Sequence, residues 1–227
     1  NVQDLYNDSG TLWVATFGHG IFRVNLDSRK QTGHYLEDQR GVVVYKTVDG
    51  ILWAGTTDGL YEYNWAKDSF EYRKELGHSF IHAIFQDSRG KLWVGTYGKG
   101  LWVMDTGGFH RVGLDERGRG LASNYITDVT EDHEHRLWVC TEGNGVYYVP
   151  VRETDGAFAF GNLSRKEGLT TNIVCSVLQD SQGTLWMSTS HGLIKMNQDL
   201  SGVADIYLES SAGIGNQYVY GASLSLG

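Results

Sequence analysis

The densest run of candidate metal ligands in the chain is Asp132, His133, Glu134 and His135, carboxylates and imidazoles of the kind that hold zinc. Four consecutive side chains point in different directions, and neither a helical H-E-x-x-H pattern nor a supporting ligand triad accompanies them. The run therefore reads as a surface turn, and neither a metal nor any other cofactor is expected. His82 sits inside the apolar string FIHAIF and reads as a hydrogen-bonded core or channel histidine rather than a catalytic one. No Ser-His-Asp order and no G-x-S-x-G elbow occurs. Without an assembled acid, base and nucleophile, no catalytic residue is assigned and no turnover is expected.

A second set suits recognition instead. Phe17, His19, Asp58, Tyr97, Lys99, Glu142, Asn144 and His191 all lie within three residues after one of five threonines, at positions where the copies of an internal repeat differ most. Rings beside carboxylates, amides and a lysine are groups that stack on a sugar and hydrogen-bond to its hydroxyls, so a sugar or an anionic oligosaccharide is the ligand class they fit. Unselected variation of an exposed rim would give a similar mixture.

What must position these residues is a repeat. The stretch Asp87 to Leu101, DSRGKLWVGTYGKGL, has counterparts beginning at Asn7, Val48, Asp132 and Asp180. Trp13, Trp53, Trp93, Trp138 and Trp186 mark the register at spacings of 40, 40, 45 and 48 residues. That period is the length of a four-stranded propeller blade. Each unit reads as a polar Asp-x-x-Gly turn, a short strand ending in Thr16, Thr56, Thr96, Thr141 or Thr189, a Gly-rich turn, and a second apolar strand. The threonines suit a β-branched strand position with a hydroxyl free to bond a neighbouring strand or turn. Gly10, Gly50, Gly90 and Gly183 occupy the first turn, whereas His135 stands there in the fourth unit and implies either a different turn or a strained one.

Each unit opens with an innermost strand: VQDLY from Val2, VVVYKTV from Val42, FIHAIF from Phe80, YITDV from Tyr125 and IVCSVL from Ile173. FIHAIF and IVCSVL are apolar on both faces, as a sheet packed between two others requires. Third strands begin at Ile21, Leu60, Leu101, Val146 and Leu193, and more polar fourth strands follow, as in SFEYR from Ser69 and FHRV from Phe109. Charges on those outer strands guard against edge-to-edge pairing. No window sustains a 3.6-residue period, so no helix beyond about two turns is expected. The fold class is all-β, a propeller of five units, approximately 1-40, 41-78, 79-123, 124-171 and 172-215, with QYVYGASLSLG in 216-227 as one extra strand. The whole, 1-227, reads as one domain or a fragment of a larger propeller.

Composition removes other classes. Nineteen basic residues against 27 acidic ones give a net charge of −8, which opposes a phosphate backbone, so no nucleic acid is expected as partner. No apolar run reaches the roughly 20 residues that cross a bilayer, and no basic and apolar leader opens the chain. Thirty glycines against a single proline fit many tight turns rather than a disordered linker. Cys140 and Cys175 belong to no C-x-x-C pair, read as small buried apolar residues, and do not fix the compartment. A start without Met reads as an excised piece of something longer.

The string GLTTNIVCSVLQDSQGTLWMSTSHGL, Gly168 to Leu193, resembles the two-component regulator propeller repeat, whose pattern is roughly G-L-[PS]-x-N-x-[VI], an Asp-x-x-Gly turn, then L-W-[VI]-G-T and G-L. GNQYVYGAS resembles the N-x-F-x-x-x-A variant of the last repeats in such propellers. Departures are His135 for the turn glycine, Ala15, Cys140 and Ser188 for the glycine before the threonine, and loops between units that lack proline. The resemblance implies the periplasmic or extracellular sensor region of a membrane-anchored bacterial signal-transduction protein, followed by an immunoglobulin-like domain, a membrane helix and a histidine kinase or diguanylate cyclase. It implies a homodimer formed through the parent sensor, and the ligand such a sensor would read is, on the chemistry of the exposed residues above, a carbohydrate fragment or other small molecule. More distantly the chain resembles virginiamycin lyase propellers, whose metal-assisted His and Glu pair has no counterpart here beyond His19 and His191, so a propeller enzyme is one alternative and a protein-interaction scaffold another.

A buried tryptophan withdraws on the order of 150 to 250 Å² from water, an upper estimate of about 4 to 6 kcal/mol. Any of the five Trp→Ala changes should therefore cost about 3 to 5 kcal/mol in chemical denaturation, whereas a loss under about 1 kcal/mol would make the tryptophans surface platforms.

Overall fold

The computed structural model describes residues 1–114, 118, 120–149, 158–197 and 199–208. They form five four-stranded antiparallel sheets, each with its strands side by side in chain order. Blade 1 contains β1 (Val2–Asp8), β2 (Thr11–Thr16), β3 (Gly20–Asn25) and β4 (Lys30–Tyr35); blade 2 contains β5 (Gly41–Lys46), β6 (Leu52–Thr56), β7 (Leu60–Asn64) and β8 (Ser69–Arg73). Blade 3 contains β9 (Phe80–Gln86), β10 (Leu92–Tyr97), β11 (Gly100–Asp105) and β12 (Gly108–Val112). Blade 4 contains β13 (Ile126–Glu131), β14 (Leu137–Thr141), β15 (Val146–Val149) and β16 (Gly161–Leu163), and blade 5 contains β17 (Val174–Gln179), β18 (Leu185–Thr189), β19 (Gly192–Met196) and β20 (Val203–Tyr207). Helix among the described residues is confined to two three-residue 3-10 turns, Lys74–Leu76 and Arg165–Glu167. The extra strand expected in 216-227 lies outside the described residues.

Two compact units divide the chain, Asn1–His110 and Arg111–Gly227. Within the first, β1 packs on β5 and β5 on β9; within the second, β13 packs on β17. The cores are wedges between consecutive blades. Trp13, Ile21, Val44, Leu52 and Tyr63 join blades 1 and 2, and Trp53, Leu60, Ile81, Ile84 and Val94 join blades 2 and 3. Trp138, Val146, Val174, Val177 and Met187 join blades 4 and 5. This explains why FIHAIF and IVCSVL are apolar on both faces, since β9 and β17 lie largely buried, whereas β1 exposes Val2 and Leu5. Trp13, Trp53, Trp93 and Trp138 are fully buried, but Trp186 is only half-buried, beneath Tyr207 and the Lys195 ammonium.

A carboxylate six residues before the tryptophan ties the first turn to that core. Asp87 accepts the backbone N–H of Arg89 and Lys91 at 3.0 and 2.9 Å on one oxygen and the Trp93 indole N–H at 2.9 Å on the other. Asp132 does the same for Glu134, Arg136 and Trp138, and Asp180 for Gln182, Thr184 and Trp186. In blades 1 and 2 the equivalent residues are Asn7 and Thr47. Asn7 accepts only the Gly10 N–H, at 3.3 Å, and the Thr47 hydroxyl exchanges hydrogen bonds with Ile51. The indole N–H groups of Trp13 and Trp53 are consequently buried without an acceptor. The metal-like run of blade 4 is thus dispersed: Asp132 holds Trp138 and Arg136, the His133 N–H goes to Gln179, and His135 pairs with Glu131. His135 keeps the same turn as the glycines by adopting a φ of 61°, which costs a β-carbon about 1 to 2 kcal/mol.

The residue before that aspartate staples one blade to the previous one. Gln86 accepts the Val48 N–H of blade 2 at 2.8 Å while donating to Gly90 of its own turn, and Gln179 accepts the His133 N–H of blade 4 at 2.6 Å while donating to Gly183. Lys46 does this work electrostatically by reaching Asp8 of blade 1 at 2.6 Å. Every first strand also carries a bulge at the same place, which leaves His82 and Cys175 as the extra residues of β9 and β17. His82 is half-buried beside Phe80 and Tyr97, and both cysteines are buried thiols, pushed up by burial, Cys175 to about 11.

Giving blade 2 the missing acceptor should stabilise it. Thr47→Asp is expected to add about 1 to 2 kcal/mol in chemical denaturation, since an unpaired buried donor costs about 1 to 3 kcal/mol and a charged acceptor repays it; a neutral or destabilising result contradicts this. The same bonds set an acid limit. Burial disfavours the Asp132 carboxylate, but the Trp138 indole and the Arg136 backbone and guanidinium outweigh it and hold the group below the ordinary carboxylate range. A lowered folded pKa contributes stability above the unfolded value and loses it as pH falls through the folded one, so the advantage of wild type over Asp132→Asn should shrink below about pH 4.

Candidate functional site

The threonine that ends each second strand anchors the turn after it. Thr16, Thr56, Thr96, Thr141 and Thr189 donate to the carbonyls of Gly20, Gly59, Gly100, Gly145 and Gly192 at 2.7 to 3.2 Å. Four of the hydroxyls also accept backbone N–H groups of the turn, from Asp58 and Gly59, Lys99, Asn144 and His191. Turn and hydroxyl are thereby mutually saturated, so the threonines are structural. A glycine completes the arrangement: at Gly145, φ is 76° and a β-carbon would come within 2.1 Å of the Leu163 carbonyl oxygen.

The same turns lean on the loops that lead to the next blade. The Gly20 N–H bonds Gln39, and the Gly143 and Gly145 N–H groups both bond the Asn172 carbonyl at 3.0 and 2.8 Å. Those loops are pinned from below by leucines, Leu76, Leu121 and Leu169, which are buried, and by Ser123 and Thr171, whose hydroxyls accept the N–H two residues on. Rigid backbone therefore presents exposed side chains along one edge of each blade.

In the first unit, Phe17 lies under the Arg40 guanidinium at 5.0 Å, and the His19 carbonyl accepts from His34 at 2.7 Å. Asp58 faces the His78 imidazole, with both carboxylate oxygens 3.2 Å from Nδ1. Lys99 donates to the His78 and Leu76 carbonyls at 2.8 and 3.4 Å, which makes it a support of the loop as well as a rim charge. Tyr97 sits among Phe80 and His82. In the second unit, Glu142 bonds the Tyr125 carbonyl through its N–H and bridges to Ile173, and its charge bears on Cys175. The Asn144 carbonyl accepts from Asn162, while His191 meets Ser190, which continues to Thr171.

Asp58 and Lys99 are thus brought together through His78, and Phe17, His19 and Tyr97 each have separate neighbours. His78, Arg40 and Asn172 are absent from the sequence-based set because they stand in loops between blades, where the repeat leaves no register to align, and His34 because it lies on the variable fourth strand β4. The partial pattern G-L-x-[ST]-N marks two of those loops but not the loops that carry Arg40 and His78. Among the described residues no three His, Cys, Asp or Glu side chains are arranged to hold a metal ion.

The two component regulator propeller family model matches residues 75–98, 120–143 and 168–191. Each match runs from the loop before a blade through its first strand and Asp-Trp turn to the Thr-anchored turn of blades 3, 4 and 5. No curated protein matches. Among solved structures, the extracellular domain of the one component system BT4673 from B. thetaiotaomicron aligns with 89% of this chain and 30% of its own, at 20% identity and a TM-score of 0.68. PorZ, a surface component of the type-IX secretion system of Porphyromonas gingivalis, aligns with 94% of this chain and 34% of its own, at 14% identity and 0.70. Virginiamycin B lyase from Staphylococcus aureus aligns with 87% of this chain and 67% of its own, at 14% identity and 0.66. These likenesses are of fold, and the chain spans about a third of the first two proteins. The matched residues identify two component regulator propeller repeats in blades 3, 4 and 5 of this five-bladed chain.

Proposed function

We propose that the chain is a non-catalytic, ligand-reading propeller region of an extracytoplasmic bacterial sensor, and that it recognises a small soluble molecule, a carbohydrate fragment foremost, on the edge built by the Thr-anchored turns and the loops between blades. The observation that carries this reading is the contrast along that edge. Its backbone is locked by repeated threonine, glycine and leucine contacts, while the side chains it exposes differ from blade to blade. A rigid scaffold with diversified loops is the usual seat of recognition. Support for the compartment comes from the family and from the description of the BT4673 likeness as an extracellular domain. Among the described residues no helix is long and apolar enough to cross a membrane.

Calorimetric titration of neutral and anionic oligosaccharides against wild type, Tyr97→Ala and His191→Ala tests the proposal, with the two variants kept separate because they lie in different units. With melting temperatures unchanged, at least one variant should lose about fivefold or more in affinity, the worth of one ring contact. Equal affinities for all three proteins would move recognition off this edge, and turnover of a saccharide or lactone that survives repurification would overturn the non-catalytic reading.

A further inference from the structure

His78 is held from three sides and open on the fourth. Its Nδ1 faces the Asp58 carboxylate on the turn after β6, its ring lies over Tyr72 of β8 with centroids 5.6 Å apart and planes 25° from parallel, and its carbonyl is gripped by Lys99 on the turn after β10. Tyr72 can lie there because residue 59 is glycine: a β-carbon at that position would come within 2.5 Å of the ring. The imidazole is itself 78% exposed, and among the described residues its Nε2 has no partner. A carboxylate only accepts, so Nδ1 carries the hydrogen, and in the neutral ring Nε2 is left with a lone pair directed away from Asp58.

We infer that His78 Nε2 is a ligand-reading acceptor on this edge, taking a hydrogen bond from a hydroxyl of a neutral saccharide, with Tyr72 as the adjacent exposed ring. The inference rests on the proposed recognition edge and names the contact within it. Asp58 and Lys99 act as positioning residues, the one fixing the tautomer and the other the backbone. The titratable groups around the imidazole are Asp58, Lys99, Tyr72 and Tyr61; burial, and then the Asp58 charge, push both tyrosine hydroxyls upward.

Nitrogen-resolved NMR of the histidines, without and then with maltotetraose, cellotetraose, xylotetraose and tetragalacturonate, decides the matter in the full chain. The expected result has two parts: His78 carries its hydrogen on Nδ1, and a neutral tetrasaccharide shifts Nε2. His78→Gln should weaken binding about fivefold or more. A hydrogen on Nε2 in the free protein overturns the inference, as does unchanged affinity in His78→Gln. Shifts at His19 or His191 with none at His78 overturn it while leaving the recognition edge standing. No shift at any histidine of the edge with any probe removes both.

Discussion

The bond from an indole N–H to a carboxylate six residues earlier is the contact on which the rest of this fold depends. It does two things that are otherwise hard to do together. It lets the most hydrophobic large side chain of each blade enter a wedge between sheets without stranding its one polar atom, and it fixes the turn whose N–H groups the same carboxylate collects. Tertiary burial and local turn geometry are thereby one interaction. Blades 3, 4 and 5 have it, and those are the blades that the family model matches. Blades 1 and 2 retain the tryptophan without the aspartate and leave the indole unpaired. Part of the difference is offset elsewhere in blade 1: Arg23 lies 5.7 Å above the Trp13 ring and binds Asp68, which also accepts the hydroxyls of Tyr35 and Tyr63.

Order passes from that contact outward. The staple residue next to the aspartate, Gln86 or Gln179, links blade to blade at the first-turn end, and the threonine at the other end of the second strand locks the turn on the opposite edge. The strand between them is short and buried, so little slack separates a locked core from the exposed edge. Recognition by such a scaffold needs no closing lid: the rings and charges are carried on turns whose backbone hydrogen bonds are already satisfied.

The blades were legible in the sequence because one period repeats five times, and a repeated Trp, Thr and Gly each have a single structural explanation. First strands came out at the expected segments, and the threonines proved structural for the reason their β-branched, hydroxyl-bearing chemistry suggests. Less of the edge could be read. Phe17, Tyr97 and His191 follow the register of the repeat, so position alone finds them. His78 and Arg40 do not, because loops between blades vary in length and their partners come from a different blade: Asp58 is 20 residues from His78, and Lys99 21 residues from it. The staples were hidden for the same reason, since Gln86 and Val48 meet across 38 residues. The shared bulge was hidden too, being a property of pairing rather than of composition. His135 is the opposite case, a visible departure from glycine whose outcome, the same turn at a positive φ, only coordinates could reveal.

Native-state hydrogen exchange resolved by blade tests the central role of the indole–carboxylate bond most directly. The account predicts that the turn amides of Lys91, Arg136 and Thr184, which are bound to Asp87, Asp132 and Asp180, exchange only through openings as rare as those of the strands beside them. Gly10 and Ile51, whose turns rest on Asn7 and Thr47, should exchange through cheaper local openings. Equal protection of all five turns would contradict it, because the carboxylate would then add nothing that asparagine and threonine do not already supply.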